Sequence, residues 1–368
     1  MLSVMTVMGT RPEICRLSET IKKLDTYTNH CLVFTGQSYD YEMSQIFFDE
    51  LGIRKPDYTL DVKADTLAKQ VGNILEQCEQ VMVEEKPDMV LVLGDTNSAL
   101  SAYVAKRLGI RVIHMEAGNR CFSEAVPEEV NRRIIDHTAD VNLCYTEHSR
   151  RNLLREGLHP SSVFVIGSPL PEVYQANWDK IQASGIREKL GLTEKGYLLA
   201  SIHREENVTD EQKLSRIIRT LVLLSRDYCI PTIFSTHPRT RKKLENTLID
   251  TESNVRFHFP FGILDYVNLQ LGTLCCLSDS GTIHEDAALL GITAVNVRDS
   301  QERPETYDAG NVIMAGTDPG SITGAVKLAI EQAKAGVIFD KPADYKDTNY
   351  SDKAVRIILS SRYGGKRL

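Results

Sequence analysis

The chain of 368 residues is 42% hydrophobic and 25% charged, ordinary proportions for a globular protein with apolar material for two cores. A formal charge of −7 and a pI near 5.8 argue against a general nucleic-acid surface, and no apolar run reaches the ~18 residues of a membrane span. Met1-Leu2-Ser3-Val4-Met5-Thr6-Val7-Met8 has no basic segment ahead of it, so it reads as a first strand and not as a signal peptide. Eight cysteines are scattered, none in a Cys-x-x-Cys pair and several inside apolar runs, which suits a reducing, cytoplasmic compartment.

In chain order, residues 2–8 form a strand, Gly9-Thr10 a turn, and a helix opens near Pro12 and runs to about 24. Strand, glycine turn and helix point backbone N–H groups at an anion, and Arg11 and Arg16 add cationic donors; a solvated helix position is the plainer reading of Arg16. A second strand is expected at 31–35, a helix at 66–84, and strands at 89–93 and 111–115 with a helix from 97 to 107 between them. Two further strands follow at 141–145 and 163–166. Gly167-Ser168-Pro169-Leu170-Pro171 is turn-forming and suits a linker.

The pattern then restarts. A strand at 197–201 leads to His203-Arg204-Glu205-Glu206-Asn207. Thr209-Asp210-Glu211-Gln212 matches a capping box, before a helix with Leu214, Ile217, Ile218, Leu221 and Leu224 on one face. Strands at 232–236, 274–277 and 293–297 and a helix at 282–290 complete this half, and a helix at 351–360 is free to pack back on the first. Alternating strand and helix imply parallel, doubly wound sheets. The expected division is 1–168 plus 351–368, and 169–350.

Three acids stand out. Asp95 and Glu116 follow the strands at 89–93 and 111–115, and ligands of a parallel α/β sheet bind outside the carboxyl ends of its strands. Glu128 and Glu129 follow Pro127 in the first turn of a helix, where the dipole favours negative charge. Each acid also has a plainer reading, as turn residue or dipole partner; three aimed at one crevice suit acid–base chemistry. In the second half Ser280-Gly281-Thr282 opens a helix after a strand, a second turn of the kind that binds phosphate. Asp286 stands one helical turn on, where it can take both hydroxyls of a ribose, with Glu285 as the alternative. His203 at a strand end can meet a phosphate or serve structurally. The nine histidines show no metal-ligand spacing. No Gly-x-Gly-x-x-Gly or Walker loop occurs, which argues against bound nicotinamide and ATP. His114-x-Glu116 resembles half of a deaminase motif, but no Pro-Cys-x-x-Cys follows.

These motifs together resemble the non-hydrolysing UDP-N-acetylglucosamine 2-epimerases. The resemblance is carried by Gly9-Thr10-Arg11-Pro12-Glu13, Gly94-Asp95-Thr96, Glu116-Ala117-Gly118-x-Arg120, Pro127-Glu128-Glu129-x-Asn131-Arg132, His203-Arg204, Ser278-Asp279-Ser280-Gly281 and Glu302-Arg303-Pro304-Glu305. It implies two Rossmann-like domains in a GT-B arrangement with UDP-sugar in the cleft, no cofactor, and a homodimer. It also implies a reaction, in which the C2 proton is removed as UDP leaves C1, a 2-acetamidoglycal and UDP remain bound, and UDP then adds back as C2 is reprotonated from the other face. By motif match Asp95, Glu116, Glu128 and His203 are the catalytic set. Arg11, Arg16, Arg132, Ser280, Gly281, Thr282, Glu285, Asp286 and Arg303 are the set that binds the UDP-sugar. The chain departs from the common pattern at Arg16, Glu205, Thr282 and Asp286, and at Gly36-Gln37-Ser38-Tyr39, where main-branch bacterial enzymes have an allosteric UDP-N-acetylglucosamine site. Gly36-Gln37-Ser38-Tyr39-Asp40-Tyr41-Glu42 and Glu116-Ala117-Gly118-Asn119-Arg120-Cys121-Phe122 resemble a branch that makes UDP-N-acetyl-L-fucosamine from UDP-2-acetamido-2,6-dideoxy-L-talose for capsule and O-antigen. Conversion of UDP-N-acetylglucosamine to UDP-N-acetylmannosamine, a GT-B glycosyltransferase and a non-catalytic UDP-sugar sensor are the alternatives.

Overall fold

A computed structural model of the chain describes residues 1–36, 41–123, 126–236, 240 and 254–361. The stretch Gln37-Ser38-Tyr39-Asp40 and the pair His237-Pro238 lie outside them. The chain divides into two compact units, Met1–Ala176 with Lys346–Leu368, and Asn177–Tyr345.

The first unit holds a seven-stranded parallel sheet: β1 (Ser3–Met8), β2 (Asn29–Phe34), β3 (Tyr58–Thr59), β4 (Met89–Leu93), β5 (Arg111–Met115), β6 (Val141–Cys144) and β7 (Val163–Val165), in the order β3-β2-β1-β4-β5-β6-β7. The chain winds outward from β1, then returns to β4 and winds the other way. The order therefore reverses between β1 and β4, whose register pairs Val7 with Val92. That reversal opens a crevice at the carboxyl ends of these strands. The central strands are mostly apolar, and β4 wholly so, because both faces of the sheet are covered.

The helix Arg11–Tyr27 covers one face with Ile14, Leu17, Ile21 and Leu24. Its start is a capping box between Thr10 and Glu13, with Pro12 in the first turn. The helix expected from 97 opens as a 3₁₀ turn, Asn97–Leu100, and becomes α-helical over Ser101–Arg107. The returning helix Tyr350–Ser360 belongs to this unit: Lys23 Nζ pairs with Asp352 at 2.8 Å, and Glu172 accepts the Ser351 N–H at 2.7 Å.

The second unit holds six parallel strands: β8 (Leu198–Ser201), β9 (Thr232–Ser235), β10 (Val255–His258), β11 (Cys275–Ser278), β12 (Ala294–Asn296) and β13 (Ile313–Met314), in the order β10-β9-β8-β11-β12-β13. It has the same winding, with its reversal between β8 and β11. Its core gathers Leu214, Ile217, Ile218, Leu221 and Leu224 under the sheet, the face read from the sequence. Both units are Rossmann-like α/β folds.

Two expectations are corrected. Asp210, not Thr209, caps the helix Glu211–Asp227, accepting from the Gln212 and Lys213 N–H groups at 2.9 and 3.0 Å. The linker read at 167–171 is not a free connector, because the helix Leu170–Gln182 begins within it and runs across the division at Ala176. Among the described residues no helix is long and apolar enough to cross a membrane.

Candidate active site

The ends of β1, β4 and β5 carry the acids. Gly94 follows β4 with φ +68°, and its N–H donates to the Met115 carbonyl at 2.9 Å. Asp95 comes next. Glu116, one residue past β5, has φ +64°, a left-handed conformation that costs a non-glycine residue about 1–2 kcal/mol. Such strain persists where surrounding bonds over-determine it. Here Tyr145 Oη donates to Glu116 Oε2 at 3.1 Å, Asn119 Nδ2 donates to Oε1 at 3.3 Å, and Arg16 Nε lies 3.8 Å from Oε2. Arg16 is 4% exposed and its guanidinium stands over the Tyr145 ring at 5.5 Å, so the solvated reading of Arg16 is excluded. The Asp95 turn and Glu116 are neighbours, since a Cβ on Gly94 would sit 3.8 Å from Glu116 Oε2.

The helix Glu128–Thr138 meets this crevice. Pro127 precedes its first residue as the cap. Asn131 Nδ2 donates to the Asp95 carbonyl at 2.9 Å, and buried Arg132 donates through Nε to Asp95 Oδ2 at 2.7 Å. Glu128 lies three and four residues before them, so it shares their helix face. It is half-buried, whereas Glu129 is buried and accepts from the Cys121 N–H and from Arg132 Nη1. Burial pushes the Glu129 carboxyl up, but those donors outweigh it and hold it below its ordinary value. The two adjacent glutamates are thereby separated into one anchor and one partly open acid. Arg11 is half-buried, 6.0 Å from the centre of the Phe47 ring.

The anion turn expected at Gly9-Thr10 is already filled. Glu13 Oε2 accepts both N–H groups, at 3.1 and 2.8 Å, and the Thr10 hydroxyl. Its Oε1 accepts from Thr96 Oγ1 at 3.1 Å, tying the loop after β1 to the loop after β4. In the sequence Glu13 is marked by the Gly9-Thr10-Arg11-Pro12-Glu13 motif, without a role of its own. Burial pushes the Glu13 carboxyl up to about 7, against hydrogen bonds from Thr10, Gly9 and Thr96 that lower it. Its folded value thus lies above its unfolded one, so the native chain holds the proton longer. The associated stability is present below pH 4.5 and is lost as pH rises through about 7, about 3 kcal/mol for a shift of this size. Denaturant titrations at a series of pH values check this: Glu13→Gln flattens the slope between pH 4.5 and 7, and parallel curves for the two chains would contradict it.

In the second unit, Asp279 after β11 is wholly buried and gathers the loop after β8. It accepts the His203 N–H at 3.0 Å, the Arg204 N–H at 2.9 Å and Asn207 Nδ2 at 3.0 Å. His203 stays exposed, with Nδ1 3.3 Å from Asp279 Oδ1. At the start of the helix Thr282–Leu290, the Ser280 and Thr282 N–H groups donate to the hydroxyls of Ser278 and Ser280, at 3.1 and 3.2 Å. A Cβ on Gly281 would meet Glu302 Oε1 at 2.6 Å, so a larger residue here displaces the Glu302 carboxylate. Glu302 Oε2 accepts from the buried Arg298 at 3.0 Å, and Arg204 Nη2 lies 3.5 Å from Oε1.

The two candidate ribose ligands point to protein partners. Asp286 is buried and accepts from Gln270 Nε2 at 2.7 Å, and Glu285 pairs with Arg303 at 3.2 Å, both side chains buried. Arg303 is thus tied to Glu285 beside the Ser280-Gly281-Thr282 turn. His284, between these elements, bonds Thr306 Oγ1 and Asn296 Nδ2; burial pushes its imidazole down to about 3, so it is neutral. Tyr145, which no motif marks, and Glu13, Asn119, Asp279 and Glu302, which stand in the motifs without an assigned role, hold the candidates in place.

Acids set at the switch point of one Rossmann-like unit, and a serine–glycine turn at a helix start in a second, place the chain among two-unit α/β proteins of the Rossmann-like class. Residues 22–359 match the family model described as UDP-N-acetylglucosamine 2-epimerase. The chain belongs to this family, and is an isomerase. It is 36% identical to UDP-N-acetylglucosamine 2-epimerase of Methanococcus maripaludis, over 88% of this chain and 91% of that one. It is 32% identical to UDP-2,3-diacetamido-2,3-dideoxy-D-glucuronate 2-epimerase of Pseudomonas aeruginosa, over 89% and 92%. Among solved structures, UDP-N-acetylglucosamine 2-epimerase from Rickettsia bellii matches with a TM-score of 0.90 and 46% identity, over 98% of this chain and 96% of that one. The Methanocaldococcus jannaschii UDP-GlcNAc 2-epimerase, solved with UDP-GlcNAc and UDP, matches with a TM-score of 0.90 and 32% identity, over 98% and 99%.

Proposed function

We propose that the chain inverts C2 of a UDP-N-acetylhexosamine by elimination and re-addition of UDP. The observation that carries the reading is the meeting of Asp95, Glu116 and the Glu128 helix at one switch point, with Arg16 and Arg132 buried among them. C2–H is not beside a carbonyl and is a weak acid, so its loss needs a departing group. A carboxylate takes the proton, the C1–O bond breaks, and UDP leaves with the bonding pair. A C1=C2 double bond remains in the 2-acetamidoglycal. Protonation of C2 from the other face and return of UDP to C1 complete the inversion. Two faces call for two positioned acid–base groups. Asp95, Glu116 and Glu128 supply them. His203, Arg11 and the Ser280-Gly281-Thr282 turn hold the diphosphate as its charge develops, with Arg132 and Arg303 supporting, and Asp286 or Glu285 serves the ribose after exchanging its present partner.

The sugar we infer is UDP-2-acetamido-2,6-dideoxy-L-talose, giving UDP-N-acetyl-L-fucosamine. Support comes from the Glu116-Ala117-Gly118-Asn119-Arg120-Cys121-Phe122 stretch, whose Asn119 donates to Glu116 itself. The names of the relatives favour UDP-N-acetylglucosamine as the second reading. Proton NMR of product formation from the two substrates side by side decides between them. Faster turnover of the 6-deoxy-L-talo sugar supports the first, and faster turnover of the gluco sugar overturns it. A homodimer in the cytoplasm completes the proposal. The described cysteines are free and all but Cys121 and Cys229 are buried, which suits a reducing compartment.

A further inference from the structure

His114 lies in β5, two residues before Glu116, and is 1% exposed. Its Nδ1 is 2.9 Å from Asp136 Oδ1, and its Nε2 is 2.8 Å from the Gly94 carbonyl oxygen. The carbonyl is only ever an acceptor. Asp136, wholly buried, already accepts the Gly118 N–H at 3.1 Å and Arg120 Nη1 at 2.7 Å. Both ring nitrogens therefore face acceptors, and a neutral imidazole has one N–H to give. Arg120 is shared between Asp136 and Glu156, donating to the latter through Nε at 2.8 Å and Nη2 at 2.6 Å, and the exposed His137 also faces Glu156 at 3.1 Å.

We propose that His114, carrying a proton on each ring nitrogen, is the positioning residue that clamps the Asp95 turn to the Glu116 loop through Asp136. Gly94 is gripped from both sides: its N–H donates to Met115 and its carbonyl accepts from His114, one residue before Asp95. The other end of the clamp fixes Gly118, whose N–H donates to Asp136 and whose carbonyl accepts Asn152 Nδ2 at 3.0 Å. Glu116 sits between these fixed points in its left-handed conformation. His114 never touches the substrate. Its effect is on the spacing of two acids, and a misplacement of about 1 Å in such a pair costs about 10²-fold in rate. The catalytic part of the inference rests on the proposed carboxylate chemistry; the protonation of His114 does not.

Two measurements test it. Nitrogen-15 NMR of the histidine-labelled full chain at neutral pH is expected to show both nitrogens of His114 protonated; one unprotonated nitrogen overturns the proposal. His114→Gln keeps at most one of the two bonds. It is expected to lower kcat about 10²-fold with KM for the UDP-sugar unchanged, and Asp136→Asn, which removes the acceptor charge, to do the same. Unchanged kcat in variants that circular dichroism shows to be folded overturns it. Should neither variant fold, the NMR measurement decides. A wild-type chain that turns over no UDP-sugar would refute the proposed function and leave the His114 protonation to be settled by NMR alone.

Discussion

Asp95→Asn, Glu116→Gln and Glu128→Gln are each expected to lower turnover by about 10²–10⁴-fold, the usual worth of a positioned acid or base, while UDP still binds. The substitutions keep size and shape and remove the ionisable group. Asp95→Asn retains an oxygen to accept from Arg132, now at 2.7 Å, and Glu116→Gln retains one oxygen to accept from Tyr145 or Asn119. The diphosphate ligands proposed in the second unit are untouched. Isothermal titration with UDP beside NMR turnover separates the two effects. Loss of UDP affinity together with rate would contradict a purely acid–base role.

Gly118→Ala is expected to be the most destabilising single methyl in the first unit. Gly118 has φ +83°, and a Cβ there would lie 2.3 Å from the Ser149 carbonyl oxygen and 2.8 Å from its carbonyl carbon. Both are backbone atoms of the helix Glu147–Arg155 and cannot swing aside as a side chain can. The conformational penalty is about 1–2 kcal/mol, and overpacking a tight contact adds about 1–3 kcal/mol. The helix must move or the loop must release Asp136, and either change carries Glu116 with it. The check is a denaturant titration of the variant beside Gly109→Ala, whose Cβ would meet nothing within 4 Å although its φ of +75° is similar. Gly118→Ala should lose clearly more than Gly109→Ala; equal losses would mean that the contact with Ser149 relaxes without cost.

The contrast between those glycines shows what a sequence carries and what it does not. β4 is legible because five consecutive apolar residues, buried on both faces, leave one reading, and β5 because Val112, Ile113 and Met115 give a short buried run around a single histidine. β10 and β13 are not: Val-Arg-Phe-His and Ile-Met are short edge strands, and their partly exposed residues break the pattern. Asp95 and Glu116 could be located because they follow legible strands. Glu13, Asp136 and Asp279 are acids of equal prominence in the sequence. Only the donors brought to them from distant positions show that they are anchors. The same holds for His114, whose role appears once its two acceptors, Gly94 and Asp136, are seen to converge. Asp286 and Glu285 illustrate the reverse case, acids placed by motif spacing whose partners, Gln270 and Arg303, come from outside the motif.

The most direct test of the whole account is proton exchange at a single carbon. The chain is incubated with its UDP-N-acetylhexosamine in deuterium oxide, with no acceptor present, and C2 is followed by proton NMR. Deprotonation and reprotonation by the carboxylates at 95, 116 and 128 predict that the C2 proton signal disappears as both epimers form, each with deuterium at C2. Formation of the second epimer with its C2 proton retained, or a substrate that stays unlabelled and unchanged, would contradict the account.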